Sequence, residues 1–215
     1  MVPRSGVIVA VVVVALSAVM ADGWNKDKAA TPIQTETWRP RARRRTSRLG
    51  ENGKPLLKLE DFDHAMRGGM GRQVDVALMN LDVRSGMDVD ALFARYRDTM
   101  GASARDFPNV TFIHVTVPLN TDALEWAKAG NVARERFNAL IRGEYAGHHL
   151  FDIAAIESTK PDGTRVSGSY DNQGYFALYD GYNNSDGGSA VHLNAVGAKI
   201  AATASLDAIA QASRK

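Results

Sequence analysis

Asp186 and His192 stand six positions apart in Asp186-Gly187-Gly188-Ser189-Ala190-Val191-His192-Leu193-Asn194-Ala195-Val196-Gly197, just ahead of an alanine-rich helical segment. An imidazole in such a loop can take a proton from a hydroxyl nucleophile, and a nearby carboxylate can hold its tautomer and steady the imidazolium that forms. That division of labour is the chemistry of ester hydrolysis. The residues between Gly188 and His192 either bulge out and leave Asp186 beside the imidazole or displace it, in which case Asp180 is a possible substitute; Asp186 also reads as the Asx-turn residue of Asn183-Asn184-Ser185-Asp186-Gly187. The other histidines read differently. His114 lies between Ile113 and Val115 in an apolar run and is expected to be a buried, hydrogen-bonded core residue. His148 and His149 precede a strand and are expected at the surface. No Glu-x-x-His or His-x-His spacing occurs and the chain has no cysteine, so no metal site, disulfide or cofactor is expected.

The elements that position these residues follow from periodicity. A short helix is expected over residues 59–70, ended by Gly68-Gly69, and a buried strand over residues 74–81. Residues 88–104 place Leu92, Phe93, Tyr96 and Met100 on one helical face behind Asp88 as N-cap. Residues 110–117 are β-branched and aromatic, a second strand stopped by Pro118. A helix over residues 121–145, with a break at Gly130 as one option, turns Val132, Phe137, Leu140 and Ile141 inward. A third strand over 150–156, a long polar loop over 157–188 and a closing helix over 193–212 complete the chain. Strand and helix alternating in this way predict an α/β three-layer sandwich with a mostly parallel sheet. Its crevice opens beyond the carboxyl ends of the strands. Asn80, Thr116 and Asn120 fall at that end and are candidate substrate-binding residues. Tyr179 and Tyr182, in the loop before His192, are candidates to stack on a sugar face or to pack the loop down.

The last block resembles that of the SGNH (GDSL-type) hydrolases, in which an Asp-x-x-His pair is followed by Asn or a small residue and then Gly as the final helix starts. Here three residues are inserted between Gly188 and His192. Further segments carry the resemblance toward a bacterial exported branch. They include Glu51-Asn52-Gly53-Lys54-Pro55, Val74-Asp75-Val76-Ala77-Leu78-Met79, Thr111-Phe112-Ile113-His114-Val115 and Leu150-Phe151-Asp152-Ile153-Ala154. The resemblance implies a flavodoxin-like fold and serine-type hydrolysis of acyl esters, or deacetylation of carbohydrate or envelope material, with His192 as base and Asp186 as orienter. The family's Gly-x-Ser block has no counterpart before Glu51, where Ser47 stands beside an arginine cluster. The Gly-x-Asn-Asp block is matched only by Met79-Asn80-Leu81-Asp82, without the Gly. The nucleophile is therefore unassigned, and whether the first strand is present stays open. Two functions follow: a small-molecule or carbohydrate ester hydrolase, or a non-catalytic binding protein that keeps sheet and crevice without the serine.

The amino-terminal quarter sets the context. Arg4 followed by an apolar run over residues 7–20, with Val19 and Ala21 suiting cleavage before Asp22, reads as an export signal; an uncleaved membrane anchor is the other reading. A secreted or periplasmic location, with no stable membrane span after cleavage, is the expectation. The division expected is 1–21 signal, 22–50 basic tether and 51–215 folded domain. Six arginines lie between Arg39 and Arg48, whereas from Leu49 onward 17 basic residues face 21 acidic ones, a net of −4. With no recognition helix beside it, the basic run reads as a solvated linker, and no nucleic-acid partner is expected.

Overall fold

The computed structural model describes residues 50–183 and 192–214. The export segment, the arginine-rich tether and Asp186 lie outside the described residues.

Helix α1 (Pro55–Arg67) starts on a proline, whose fixed φ suits the first turn and whose missing N–H would have no helical partner there. It ends at Gly68, and Gly69 adopts φ 123°, a conformation that side chains with a Cβ avoid. A 3-10 turn (Met70–Arg72) leads into strand β1 (Val76–Leu78). Helix α2 (Val89–Asp106) is capped by Asp88, whose carboxylate accepts from the Ala91 N–H at 3.0 Å. Strand β2 (Thr111–Val115) follows, then helix α3 (Glu125–Glu144) and strand β3 (Leu150–Phe151). The three strands are parallel in the order β1-β2-β3, with Val76 opposite Thr111 and His114 opposite Leu150.

Side chains alternate between two cores along each strand, as the pleat requires. Ala77 and Phe112 join Leu59, Phe62, Phe93, Tyr96, Phe137 and Ile141 beneath α1, α2 and α3. Val76, Leu78, Ile113 and Val115 face the other way, into a core shared with Ile153, Leu178, Tyr182 and Leu193. That second core is closed by helices α4 (Ile153–Ser158) and α5 (Ala195–Ala212). Both faces of the sheet are thus covered, which is the three-layer arrangement that parallel sheets need.

Three local expectations are corrected. The apolar stretch 150–156 is a strand only over Leu150–Phe151. The Asp152 carboxylate then caps α4 by accepting from the Ala155 N–H at 3.0 Å, and the Ile-Ala-Ala-Ile run behind it turns helical. The long polar stretch contains an antiparallel hairpin, β4 (Ser167–Tyr170) and β5 (Gln173–Phe176). Its turn residues Asp171 and Asn172 have φ 49° and 59°, two successive left-handed residues of the type that matches strand twist and that Asp and Asn tolerate. Helix α3 runs unbroken through Gly130; a Cβ there would sit 2.9 Å from the Asn120 amide nitrogen, so the glycine serves a close approach. Among the described residues no helix is long and apolar enough to cross a membrane.

Candidate active site

The loops that leave β1 and β2 start at the carboxyl end of the sheet, and the chain ahead of α5 is tied to the β2 loop where the Leu178 N–H donates to the Asn120 carbonyl. The β2 loop is held by side chains of α3. Asn138, fully buried, accepts from the Val117 N–H at 2.7 Å and donates to the Val117 carbonyl at 3.1 Å. Two turns earlier Asn131 treats Asn120 in the same way, at 2.8 Å in both directions. An amide side chain that pairs with both backbone groups of one residue does what a neighbouring strand would do, so the irregular segment after Val115 can be buried without unpaired N–H and C=O groups. The inward face of α3 is therefore half polar: Asn131, Arg134 and Asn138 are buried there, while Val132 and Leu140, expected inward, are only partly covered.

The second tie is Glu157. It accepts from the Leu119 N–H at 2.7 Å through its carboxylate, and its backbone carbonyl accepts from Tyr179 N–H at 2.9 Å. The Leu178 N–H in turn donates to the Asn120 carbonyl at 2.8 Å. Burial pushes the Glu157 carboxyl up to about 8, against the opposing pull of the Leu119 N–H and of Arg134. Burial likewise lowers Arg134, whose guanidinium reaches Asp82 at 3.4 Å. Desolvation is the dominant influence on both groups, so each carries a burial cost that the other does not cancel.

A carboxyl raised in the folded state binds a proton that the unfolded chain has already released. Its stabilising contribution is whole below about pH 4.5 and is lost as pH rises through about 8. Glu157→Gln keeps an acceptor for Leu119 and removes the titration. The variant should match wild type near pH 5 and exceed it above pH 8, by on the order of 2 kcal/mol. Urea midpoints across that range measure this, and parallel pH profiles for the two proteins would show that Glu157 is not the titrating group.

The expected site residues occupy distinct environments. The Thr116 hydroxyl is fully buried, donating to Asp152 at 3.0 Å and accepting from the Ala154 N–H at 3.0 Å, so it joins β2 to α4. Asp152 also accepts two hydrogen bonds from Arg142. Burial would raise this carboxyl, but the Arg142 hydrogen bonds, the Ala155 N–H, the Arg142 charge and the Thr116 hydroxyl outweigh it and hold it below its ordinary value. Asn120 is 2 % exposed and, among the described residues, its side-chain oxygen has no partner. Asn80 is 1 % exposed and, among the described residues, neither atom of its amide is paired. Asn80 lies between Met79 and Leu81, both of which pack into the α1–α3 core. An unpaired buried amide costs about 1–3 kcal/mol, which folds tolerate where the group has a task.

His192 is half-buried at the entry to α5. The two residues after it fix its place. Leu193 is buried in the second core and its main chain bridges Asn183. Asn194 caps α5 by accepting from Val196 and Gly197 N–H at 3.0 Å, and its amide donates to the Gly181 and Asn183 carbonyls at 3.0 and 3.1 Å. Gly197 permits this docking, because a Cβ there would lie 2.8 Å from Tyr182. Tyr182 is buried and meets Tyr179 edge to face at 5.0 Å between ring centres, with Tyr179 the more exposed of the two. A short 3-10 turn (Asp180–Tyr182) joins them and leaves Asp180 exposed. Among the described residues His192 has no hydrogen-bond partner, and Asp186 lies outside them.

His114 is buried as expected, bonded to the Tyr96 hydroxyl at 3.1 Å and stacked on Tyr145 at 3.4 Å between ring centres. Burial and the neighbouring His148 and His149 lower its pKa to about 4, so it stays neutral. It belongs to the α1–α3 core, away from His192.

Glu157, Arg134 and the paired asparagines were not foreseen as supports of the site. Two signals could have found them: asparagines seven apart inside a helix, where Asn is a poor helix former, and an acidic residue following the apolar Ile153-Ala154-Ala155-Ile156.

No family model matches the sequence, and no curated protein matches it. Solved structures do match. A GDSL-like lipase from Bacteroides thetaiotaomicron superimposes with a TM-score of 0.59 at 14 % identity, over 99 % of this chain and 91 % of that one. The chain has the fold of the GDSL-like hydrolases. The same GDSL-like fold is shared with an acylhydrolase from Bacteroides fragilis (TM-score 0.55, 12 % identity, 94 % of this chain and 86 % of that one). It is shared also with an acetyl xylan esterase (TM-score 0.51, 14 % identity, 94 % and 100 %). In this chain the described sheet begins at Val76, and His192 precedes the cap of the last helix.

Proposed function

We propose that this protein is an ester hydrolase acting in the crevice beyond the carboxyl ends of the strands, on acyl esters of small molecules or carbohydrate. The carrying observation is the placement of His192. Leu193 and Asn194, the two residues after it, are held against the second core and the Gly181 and Asn183 carbonyls, and among the described residues the buried Asn80 amide has no partner. His192 acts as general base, Asp186 orients it, and the Asn80 amide donates to the oxyanion that develops on the carbonyl. Asn120 and Tyr179 border the bound ester. The nucleophile is a serine outside these pairings, and a serine-directed phosphonate identifies it: labelling of one serine, mapped by peptide mass, supports the reading. No labelling, together with no hydrolysis of a short-chain aryl ester, overturns it.

The other reading is a non-catalytic carbohydrate-binding protein on the same fold, favoured by the lack of a recognisable Gly-x-Ser block in the sequence. Carbohydrate binding by an inert wild-type protein, weakened by Tyr179→Ala, is the result that would establish it.

A further inference from the structure

Helix α5 is apolar on two sides. Gly197, Ala201 and Ala212 are buried against the sheet layer. On the opposite side Val196, Lys199, Ile200, Thr203, Leu206 and Asp207 are exposed and form one stripe at helical spacing. Val196, Ile200 and Leu206 are 57 %, 38 % and 65 % exposed, three of the six large apolar side chains that stand out to solvent among the described residues. A helix that is hydrophobic all round is the kind that is covered all round.

The order of residues in the stripe says what covers it. We propose that α5 pairs antiparallel with α5 of a second copy of this chain, about a two-fold axis passing beside Thr203. In that register positions equally far before and after Thr203 face each other. Lys199 meets Asp207 of the second copy, Ile200 meets Leu206, and Val196 meets Ala210, each contact made twice by the symmetry. Among the described residues neither Lys199 nor Asp207 has an ion-pair partner of its own. A parallel pairing would set Lys199 against Lys199, so charge selects the direction. The centre suits close approach as well. The Thr203 hydroxyl already donates to the Lys199 carbonyl of its own helix at 2.9 Å, so covering it strands no polar group.

One helix pair buries less than the roughly 800 Å² per partner of a standard interface, so the association is weak, with a dissociation constant on the order of 10 µM or above. Sedimentation velocity of the full chain from low micromolar to several hundred micromolar should show a mass rising from monomer toward dimer. Leu206→Glu, at an exposed position, should shift that transition at least about tenfold to higher concentration. Lys199→Asp should weaken association, and Lys199→Asp combined with Asp207→Lys should restore it, which a general loss of solubility or of folding would not do. Because the chain has no cysteine, Thr203→Cys supplies a single thiol next to the axis, and mild oxidation should give a covalent dimer. A monomer at every concentration overturns the proposal. So does association that ignores Leu206→Glu and the charge reversal, or a thiol introduced by Thr203→Cys that is shielded from reagents in the monomer, since the stripe would then be covered within one chain.

Discussion

Replacing His192 by alanine should lower the hydrolysis of a short-chain aryl ester by about two orders of magnitude or more, with the loss carried by kcat rather than KM. The reason is that a general base acts on the proton that moves in the transition state and contributes little to holding the ground-state ester. Leu193 and Asn194 hold the loop end by their own side chains and backbone, so His192→Ala removes the imidazole without releasing the segment. A thermal unfolding midpoint within a degree or two of wild type is therefore part of the expectation. Asn80→Ala should also reduce kcat, by about two orders of magnitude, the usual scale for losing one oxyanion donor. As a buried amide without partners among the described residues, Asn80 leaves no hydrogen bond to them behind when removed, so Asn80→Ala should cost little stability. Equal activity of wild type and His192→Ala would show that turnover does not pass through this imidazole.

The largest stability effect at the site is expected from Asn138→Ala. The side chain is fully buried and serves both the N–H and the carbonyl of Val117, so its removal leaves two buried backbone groups without partners. Each such group costs about 1–3 kcal/mol, giving a loss of about 2–6 kcal/mol by urea denaturation. That is a large share of the ~5–15 kcal/mol on which a domain of this size stands. Asn138→Leu separates bonding from volume: it fills the space and pairs neither group, so it should be as damaging as alanine. A leucine variant close to wild type would mean that the amide merely fills the gap between α3 and the loop. The same loop carries Leu119 and Asn120, so the alanine variant should also impair any catalysis that survives unfolding.

What could be read from the sequence was local and periodic. Asp88 ahead of a helical repeat is a capping signal complete within four residues, and α2 begins where it says. The apolar runs around Ala77 and Ile113 are buried strands, because no other short element hides consecutive apolar side chains on two faces. His114, set between Ile113 and Val115, was legible as a core residue on the same ground. The order of these elements, with Asp186, His192 and the residues after it, indicated the GDSL-like fold.

What the sequence left undetermined depended on partners distant in the chain. Residues 150–156 have the composition of a strand, but the Asp152 carboxylate reaches the Ala155 N–H and is itself held by Arg142 and Thr116, so the backbone coils at Ile153. Asp171 and Asn172 read equally as loop or as hairpin turn until the strands on either side find each other. Thr116, placed by spacing at the mouth of a pocket, spends its hydroxyl inside the fold. The sequence by itself determined the α/β class and the position of His192 before the last helix, because hydrophobic periodicity and capping act over a few residues. Only the tertiary structure decided which polar groups are buried and with whom, because Glu157 is bonded to Leu119, 38 positions away, and Asn138 to Val117, 21 positions away. Those pairings depend on how α3, the β2 loop and the segment before α5 close over one another, and a residue type carries no mark of the backbone it will meet.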